Sequence, residues 1–430
     1  MRKYTMNEKA KQALVAQVVQ IATNATKNSS VTGTERRSKM LGAKGFTFSL
    51  VNDIVDLYED VCRQLLKRQD WSSKFSEKYI DSKLHKVLAE LLENDNMSKA
   101  PEYVDKLISE LENFSDEQLV LLPLTGIAIL VPSQELGRIT LRNISQSDTE
   151  ELFVPYKTNI AQSDLTPTEQ AQGLQRLRQE IYPVVQGRVC AEFRVIAEAH
   201  RAIERAEEEC RRVLDLLWYA IPLICPRGYH FKVGLWKEAT RDSRETLVLT
   251  LQSPIFLKSS KLVGPNADFI LNEQTVQLLE RIGVFEMAEI LKKPVGEVQG
   301  FEETLLRGIH WFANAQIQVE RENDLLGLMT CLETFLTSEN SDKISNTVAE
   351  GVAFVLGNTL EERKNLKKQI KNFYNKRSRI SHGGQKAIFD SDLEELRTLT
   401  GVFLAKMIQR KDEFKERKDL DEWIEGQKLS

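Results

Sequence analysis

The chain has 430 residues, 41% hydrophobic and 28% charged, with a formal net charge of −4. That balance is ordinary for a globular protein and excludes a disordered, collagen-like or strongly basic chain. The length predicts two or three compact units, and any surface for nucleic acid has to be local.

Cys62, Cys190, Cys210, Cys225 and Cys331 are scattered, with no CxxC and no histidine at metal-ligand spacing. They read as reduced, buried thiols, and neither a metal nor a cofactor is expected. The most apolar stretch, residues 119–132, is broken by Pro123 and Gly126 and is too short to cross a bilayer. It reads as core. With no secretory leader recognised, the expectation is a cytoplasmic protein that does not enter a membrane.

Apolar residues at helical spacing predict helices over 7–22 and 47–69, with a long loop over 23–45 that carries Arg36 and Arg37. Further helices are predicted over 77–93 and 102–114. Residues 133–178 are polar and read as a linker or decoration. A long amphipathic helix is expected over 190–219, with His200 and Arg201 on its surface. Tyr229–Trp236 and Thr246–Leu251 then read as strands of a small antiparallel sheet, followed by helices over 273–282 and 285–292. The stretch from Pro294 to Gly300 reads as a domain boundary.

Beyond it the pattern is helical throughout. Helices are expected over 301–321 and 324–337, broken around Asn323, and over 344–356, stopped by Gly357. Thr359 and Glu362 form a capping box that opens another helix, running to Ser381 before Gly383-Gly384. Ser391 with Glu394 predicts a last helix ending near Lys418. The expected fold is mainly α: a helical N-terminal region (1–132), the polar linker (133–178), a small α+β middle domain (179–295), an antiparallel helical bundle (301–418) and a tail (419–430).

The chemistry concentrates in the run Tyr374-Asn375-Lys376-Arg377-Ser378-Arg379-Ile380-Ser381-His382-Gly383-Gly384. Between residues 363 and 386 there are nine Lys or Arg and no Asp or Glu. Such a run is commonly a solvated helix face; here it leads into an arginine followed five places later by a histidine. Residues five apart on a helix point about 140° away from each other, so Arg377 and His382 meet only if the backbone turns at the glycines. Ser378 is four before His382 and Ser381 four after Arg377, so the hydroxyls can orient both groups. A helix C-terminus favours a charged imidazole. RNA carries its own nucleophile, the 2′-hydroxyl. Histidine suits the proton transfers and arginine the phosphorane charge, with no metal required. One motif supplies one of each; two copies across a two-fold axis supply separate acid and base. Elsewhere no glycine-rich phosphate loop, paired acids or metal cluster points to a second enzyme over 179–270. Trp311-Phe312 and Trp423 read as core and His310 as structural.

The segment 301–418 resembles HEPN domains, most closely the ApeA-like branch, through Glu320-Arg321, Leu325-Leu326, Cys331-Leu332-Glu333-Thr334-Phe335-Leu336, the 344–356 helix with Gly357, and the run from Phe373 to Gly384. The resemblance implies a dimerising helical bundle and a metal-independent endoribonuclease, with Arg377 and His382 as the catalytic pair and a composite active site in a homodimer. Ser378 stands where the superfamily often has Asn, Asp or His. Glu333 matches a recurrent glutamate and is expected to ion-pair with Arg377 or its neighbour, either to orient it or simply to brace the bundle. Lys368, Lys371, Lys376 and Arg379 are expected to contact RNA. The resemblance further implies an antiviral effector of the toxin or abortive-infection type, held in check by its N-terminal region and released by a phage-derived trigger. The alternative is a non-catalytic module binding RNA, nucleotides or a partner protein through the same basic helix.

Overall fold

The structure is a computed structural model that describes residues 6–27, 37–43, 46–225, 229–237, 245–249, 256–260, 266–293, 297–318, 320–337, 344–381 and 388–429. The chain is mainly helical, with short strands in its first two thirds. It forms two compact units, residues 1–120 with 194–206, and residues 121–193 with 207–430.

The first unit contains α1 (Glu8–Thr23), β1 (Thr26–Lys27), β2 (Ser38–Ala43), β3 (Phe46–Val51), α2 (Asp53–Leu66), α3 (Gln69–Lys74), α4 (Glu77–Asn94) and α5 (Ala100–Glu112). Asn7 starts α1, its side-chain oxygen accepting the Ala10 N–H at 2.8 Å. The core gathers Val18, Ile21, Phe48, Tyr58, Trp71, Leu88 and Leu107, all at most 3% exposed. Two expectations fail here. Residues 46–51 are a strand, not the first turn and a half of a helix: they pair with β1 and β2, and Phe48 and Leu50, two apart, are both buried. The helix begins only after Asn52, whose φ of 50° breaks the run. The expected loop over 23–45 contains β1 and β2, which flank β3 in antiparallel pairing. Arg36 lies outside the described residues; Arg37 pairs with Asp56 and Glu59.

Residues 194–206 complete this unit. The Glu198 carboxylate accepts the N–H groups of Ser76, His200 and Arg201 at 3.0, 2.8 and 2.8 Å. Burial works against its ionisation, yet these hydrogen bonds hold its carboxyl below the usual range. Arg201 donates to the Ser72 carbonyl at 2.9 Å, while His200 is exposed.

The second unit opens within β4 (Glu117–Thr125) and continues through β5 (Ile127–Ile129), β6 (Gln134–Leu136), β7 (Ile139–Asn143), α6 (Gln146–Leu152), α7 (Val154–Gln162) and α8 (Pro167–Arg176). A π-helical turn leads to α9 (Tyr182–Val185), then β8 (Val189–Ile196) and α10 (Ala199–Ile224). The segment 133–178 is therefore no linker. Leu136, Ile139, Leu141 and Ile144 are fully buried, and β6 and β7 belong to a five-stranded sheet of order β10-β4-β8-β7-β6. Residues 190–196 are strand rather than helix, with Ala191, Phe193 and Val195 alternating inward.

After α10 come β9 (His230–Phe231), β10 (Gly234–Leu235), β11 (Glu245–Leu249), β12 (Phe256–Ser260), β13 (Asn266–Ala267) and β14 (Phe269–Leu271). Strands do occupy this region, but the expected partnership is wrong. The 229–236 segment pairs with β4 and β13, β11 pairs with β12, and β14 runs parallel to β5. Helices α11 (Glu273–Arg281) and α12 (Val284–Leu291) follow as expected.

The bundle comprises α13 (Phe301–Ile317), α14 (Arg321–Leu336), α15 (Ile344–Leu356), α16 (Leu360–Ser381), α17 (Asp390–Gln409) and α18 (Arg417–Leu429). Phe301, Phe335 and Phe403 meet edge-to-face at its centre, at 6.1 and 5.5 Å between rings. Gly308 lets α13 approach α14, since a Cβ there would lie 2.3 Å from the Phe335 ring. The α13–α14 break falls at 318–320 rather than at Asn323, which lies inside α14. The last long helix begins at Asp390, so Ser391 is not its cap; the Phe389 N–H bonds the Asp392 carboxylate instead, at 3.2 Å. It stops at Gln409, not near Lys418. The expected tail is α18, with Leu420 and Ile424 buried and Trp423 stacked by Arg410 at 4.0 Å.

The Pro294–Gly300 stretch does not divide the compact units; residues 294–296 lie outside the described set. Tyr219 of α10 packs on Phe312 at 6.1 Å, and Leu223 fills the space over Gly401. The middle segment and the bundle share one core.

Candidate functional site

Helix α16 carries the candidate site, and local chemistry sets its start. The Thr359 hydroxyl accepts the Glu362 N–H at 3.2 Å, while the Glu362 carboxylate accepts the N–H groups of Asn358 and Thr359 at 2.8 and 3.2 Å. Ile370 and Phe373 anchor the helix in the bundle, both at most 2% exposed. They fix which way every other residue of α16 faces.

The basic residues sort into two sets. Turned inward, Lys367 reaches Glu350 of α15 at 2.6 Å, Lys376 reaches Asp392 of α17 at 2.6 Å, and Arg377 reaches Glu333 of α14 at 3.0 Å. Three helices thus supply one carboxylate each. Arg363 donates to the Gly357 carbonyl at 3.0 Å and lies over the Phe354 ring. Turned outward, Lys364, Lys368 and Arg379 are exposed and Lys371 half-buried. Lys376 therefore stands apart from Lys368, Lys371 and Arg379, with which the sequence grouped it.

The Arg377–Glu333 pair is a single contact, Nη2 to Oε2, rather than a two-pronged fork. The Glu333 side chain is 15% exposed and that of Arg377 27%. Burial pushes the Glu333 carboxyl above its ordinary range, while Arg377 and the Tyr374 hydroxyl pull it back. The Tyr374 phenol is raised in turn, by burial and then by the Glu333 charge. Its ring lies 5.4 Å from the Arg377 guanidinium. Burial works against the Asp392 carboxylate too, but Lys376 and the Phe389 N–H hold it below the usual range. A carboxylate and an aromatic ring thus fix Arg377 within the last turn and a half of α16.

Ser378 is half-buried on that turn. Ser381 ends the helix, and its side chain is not described; His382, Gly383 and Gly384 lie outside the described residues, as does the expected turn at the glycines. The structure brings together Arg377, Glu333 and Tyr374.

Sequence reading missed Glu350, Asp392 and Tyr374 as partners. Glu350 could have been found: between Ala349 and Gly351, it is the only charged residue of helix α15. It also missed a second polar cluster, where His310 Nδ1 bonds Asp215 at 2.8 Å and Asn314 meets Nε2 at 2.9 Å. Both ring nitrogens are engaged within the protein, in keeping with a structural role for His310. Trp311 is 38% exposed and Phe312 fully buried. Among the described residues, no group of three or more His, Cys, Asp or Glu could hold a metal ion, and no helix is long and apolar enough to cross a membrane.

Comparison with protein-family models, curated proteins and solved structures finds no match to this chain.

Proposed function

We propose that this protein is a metal-independent endoribonuclease of the HEPN type, with Arg377 and His382 as its catalytic pair. The observation that carries the reading is the placement of Arg377. It sits near the end of α16, five residues before His382, with its guanidinium oriented by Glu333 at 3.0 Å and by the Tyr374 ring. An oriented guanidinium is what charge stabilisation on a phosphorane needs.

In the proposed reaction, one His382 imidazole removes the proton from a ribose 2′-hydroxyl. The oxygen attacks the adjacent phosphorus and forms the new P–O bond. Arg377 stabilises the added negative charge. The P–O bond to the 5′-oxygen breaks, and a second histidine, as imidazolium, returns a proton to the leaving oxygen. The products are a 2′,3′-cyclic phosphate and a 5′-hydroxyl. The second histidine comes from a second copy of the chain, which makes the enzyme a homodimer with a composite site. The N-terminal region would restrain a growth-arresting nuclease until a phage-derived trigger releases it.

A second reading has its own observation. Because Arg377 is already matched by a carboxylate, the pair also suits a non-catalytic bundle that binds RNA, nucleotides or a protein. One experiment separates them. Parent, Arg377→Ala and His382→Ala are incubated with total cellular RNA in EDTA. The enzyme reading expects cleavage by the parent, with cyclic-phosphate ends, abolished in both variants. An inert parent, or variants that cut equally well, sinks it.

A further inference from the structure

We infer that the outward face of α16 is a track for the phosphate backbone of single-stranded RNA, carried by Lys364, Lys368, Lys371 and Arg379. The choice of RNA rests on the ribonuclease reading; the existence of a cationic track does not.

At 100° per residue these four positions, with Asn375 among them, fall within an arc of about 80°. They extend for roughly 22 Å along the axis at 1.5 Å per residue. Arg377 lies roughly 160° round the helix from the middle of this arc, which is why it finds Glu333 instead of solvent.

The face is unusual for a surface helix. Exposed helices commonly alternate charge so that residues three and four apart attract. Here Lys364 and Lys368 are four apart and Lys368 and Lys371 three apart, so neighbours repel. After Glu361 and Glu362 in the first turn, α16 carries no acid at all. The protein does supply carboxylates to this helix, but only to its inward cations: Glu350, Asp392 and Glu333. None of the outward four has an ion pair among the described residues. A bound polyanion relieves that repulsion. One row of cations matches one backbone, and the row is a docking track, since Arg377 on the far side of α16 does not face a strand held there. On the α17 flank, Glu394 and Glu395 line a groove with Gln369, and their charge confines an anionic strand to the cationic row.

The test uses the full chain and a fluorescent oligouridylate with 2′-O-methyl groups, which binds but cannot be cleaved. Four neutralised phosphates predict a slope of log K against log salt of about −3, at about −0.7 per single-strand contact, hence roughly 50-fold weaker binding at 200 than at 50 mM salt. Lys364→Ala/Lys368→Ala/Lys371→Ala should flatten the slope to about −0.7. Lys367→Ala is the control: its partner Glu350 keeps Lys428 at 3.2 Å, and the slope should not change. A folded triple variant with the parental slope, a Lys367→Ala slope that drops, no binding by the parent, or tighter binding of the matching duplex overturns the proposal. Cleavage is scored separately. Binding without cleavage leaves the track standing and removes the ribonuclease; cleavage indifferent to the triple variant does the reverse.

Discussion

Replacing Glu333 with Gln removes one charge from the Arg377 pair while keeping its size and an acceptor oxygen. Exposed ion pairs contribute about 0.2–1 kcal/mol, and removing one partner of a fully buried pair costs about 3–5 kcal/mol. With side chains 15% and 27% exposed, this pair lies between those limits. It also makes one contact rather than two, leaving Glu333 Oε1 and Arg377 Nε buried without hydrogen-bond partners. A coupling of about 1–2 kcal/mol follows. The assay is a double-mutant cycle of parent, Glu333→Gln, Arg377→Met and the double variant, followed by urea denaturation. Methionine keeps an apolar stem where the arginine stem packs. The double variant should be less destabilised than the sum of the singles by that coupling. Additivity within about 0.3 kcal/mol would refute the pairing. RNA cleavage adds a second readout. Under the proposed function Glu333 acts only through Arg377, so Glu333→Gln should retain part of the activity that Arg377→Met loses.

Two further outcomes are expected. Asp215 raises the pKa of His310 above its ordinary 6.5, so this group's contribution is fully present below pH 6.5 and is lost as pH rises through the higher folded value. The stability difference between parent and His310→Gln should therefore shrink from pH 6 to about pH 9; a constant difference in urea titrations would count against the Asp215 contact. Leu420→Ala, at a fully buried position of α18, should cost about 2–4 kcal/mol, and no change in the unfolding midpoint would return residues 419–430 to the status of a loose tail.

Much of the bundle was legible because its signals are local. The Thr359–Glu362 box, the Gly357 stop and the 3.6-residue spacing of α15 and α16 need no distant partner to be read. The short strands were not legible for the opposite reason. Phe46–Val51 and Val189–Ile196 alternate over so few residues that a helical period fits them nearly as well, and a strand draws its stability from partners far away in sequence. The segment 133–178 was misjudged on its polar composition, although Leu136, Ile139 and Leu141 are spaced to face one side. At the site, a glutamate facing Arg377 was foreseen as one possibility. The division of the basic run into inward and outward cations was not, because it depends on which face Ile370 and Phe373 bury.

The Glu198 carboxylate has one more consequence, for the order in which the molecule is made. It bonds the Ser76 N–H across 122 positions of chain. When Val120 leaves the ribosome, the first unit still lacks residues 194–206. At about 5–20 residues per second, synthesis through to Glu198 takes roughly another 4–16 s. During that interval the ends of α3 and α4 await Glu198, and β5, β6 and β7 of the other unit are made first. The six helices of the bundle, by contrast, are consecutive in the chain. The unit made first is therefore the one that waits for later chain, and a cut after Val120 does not release it intact.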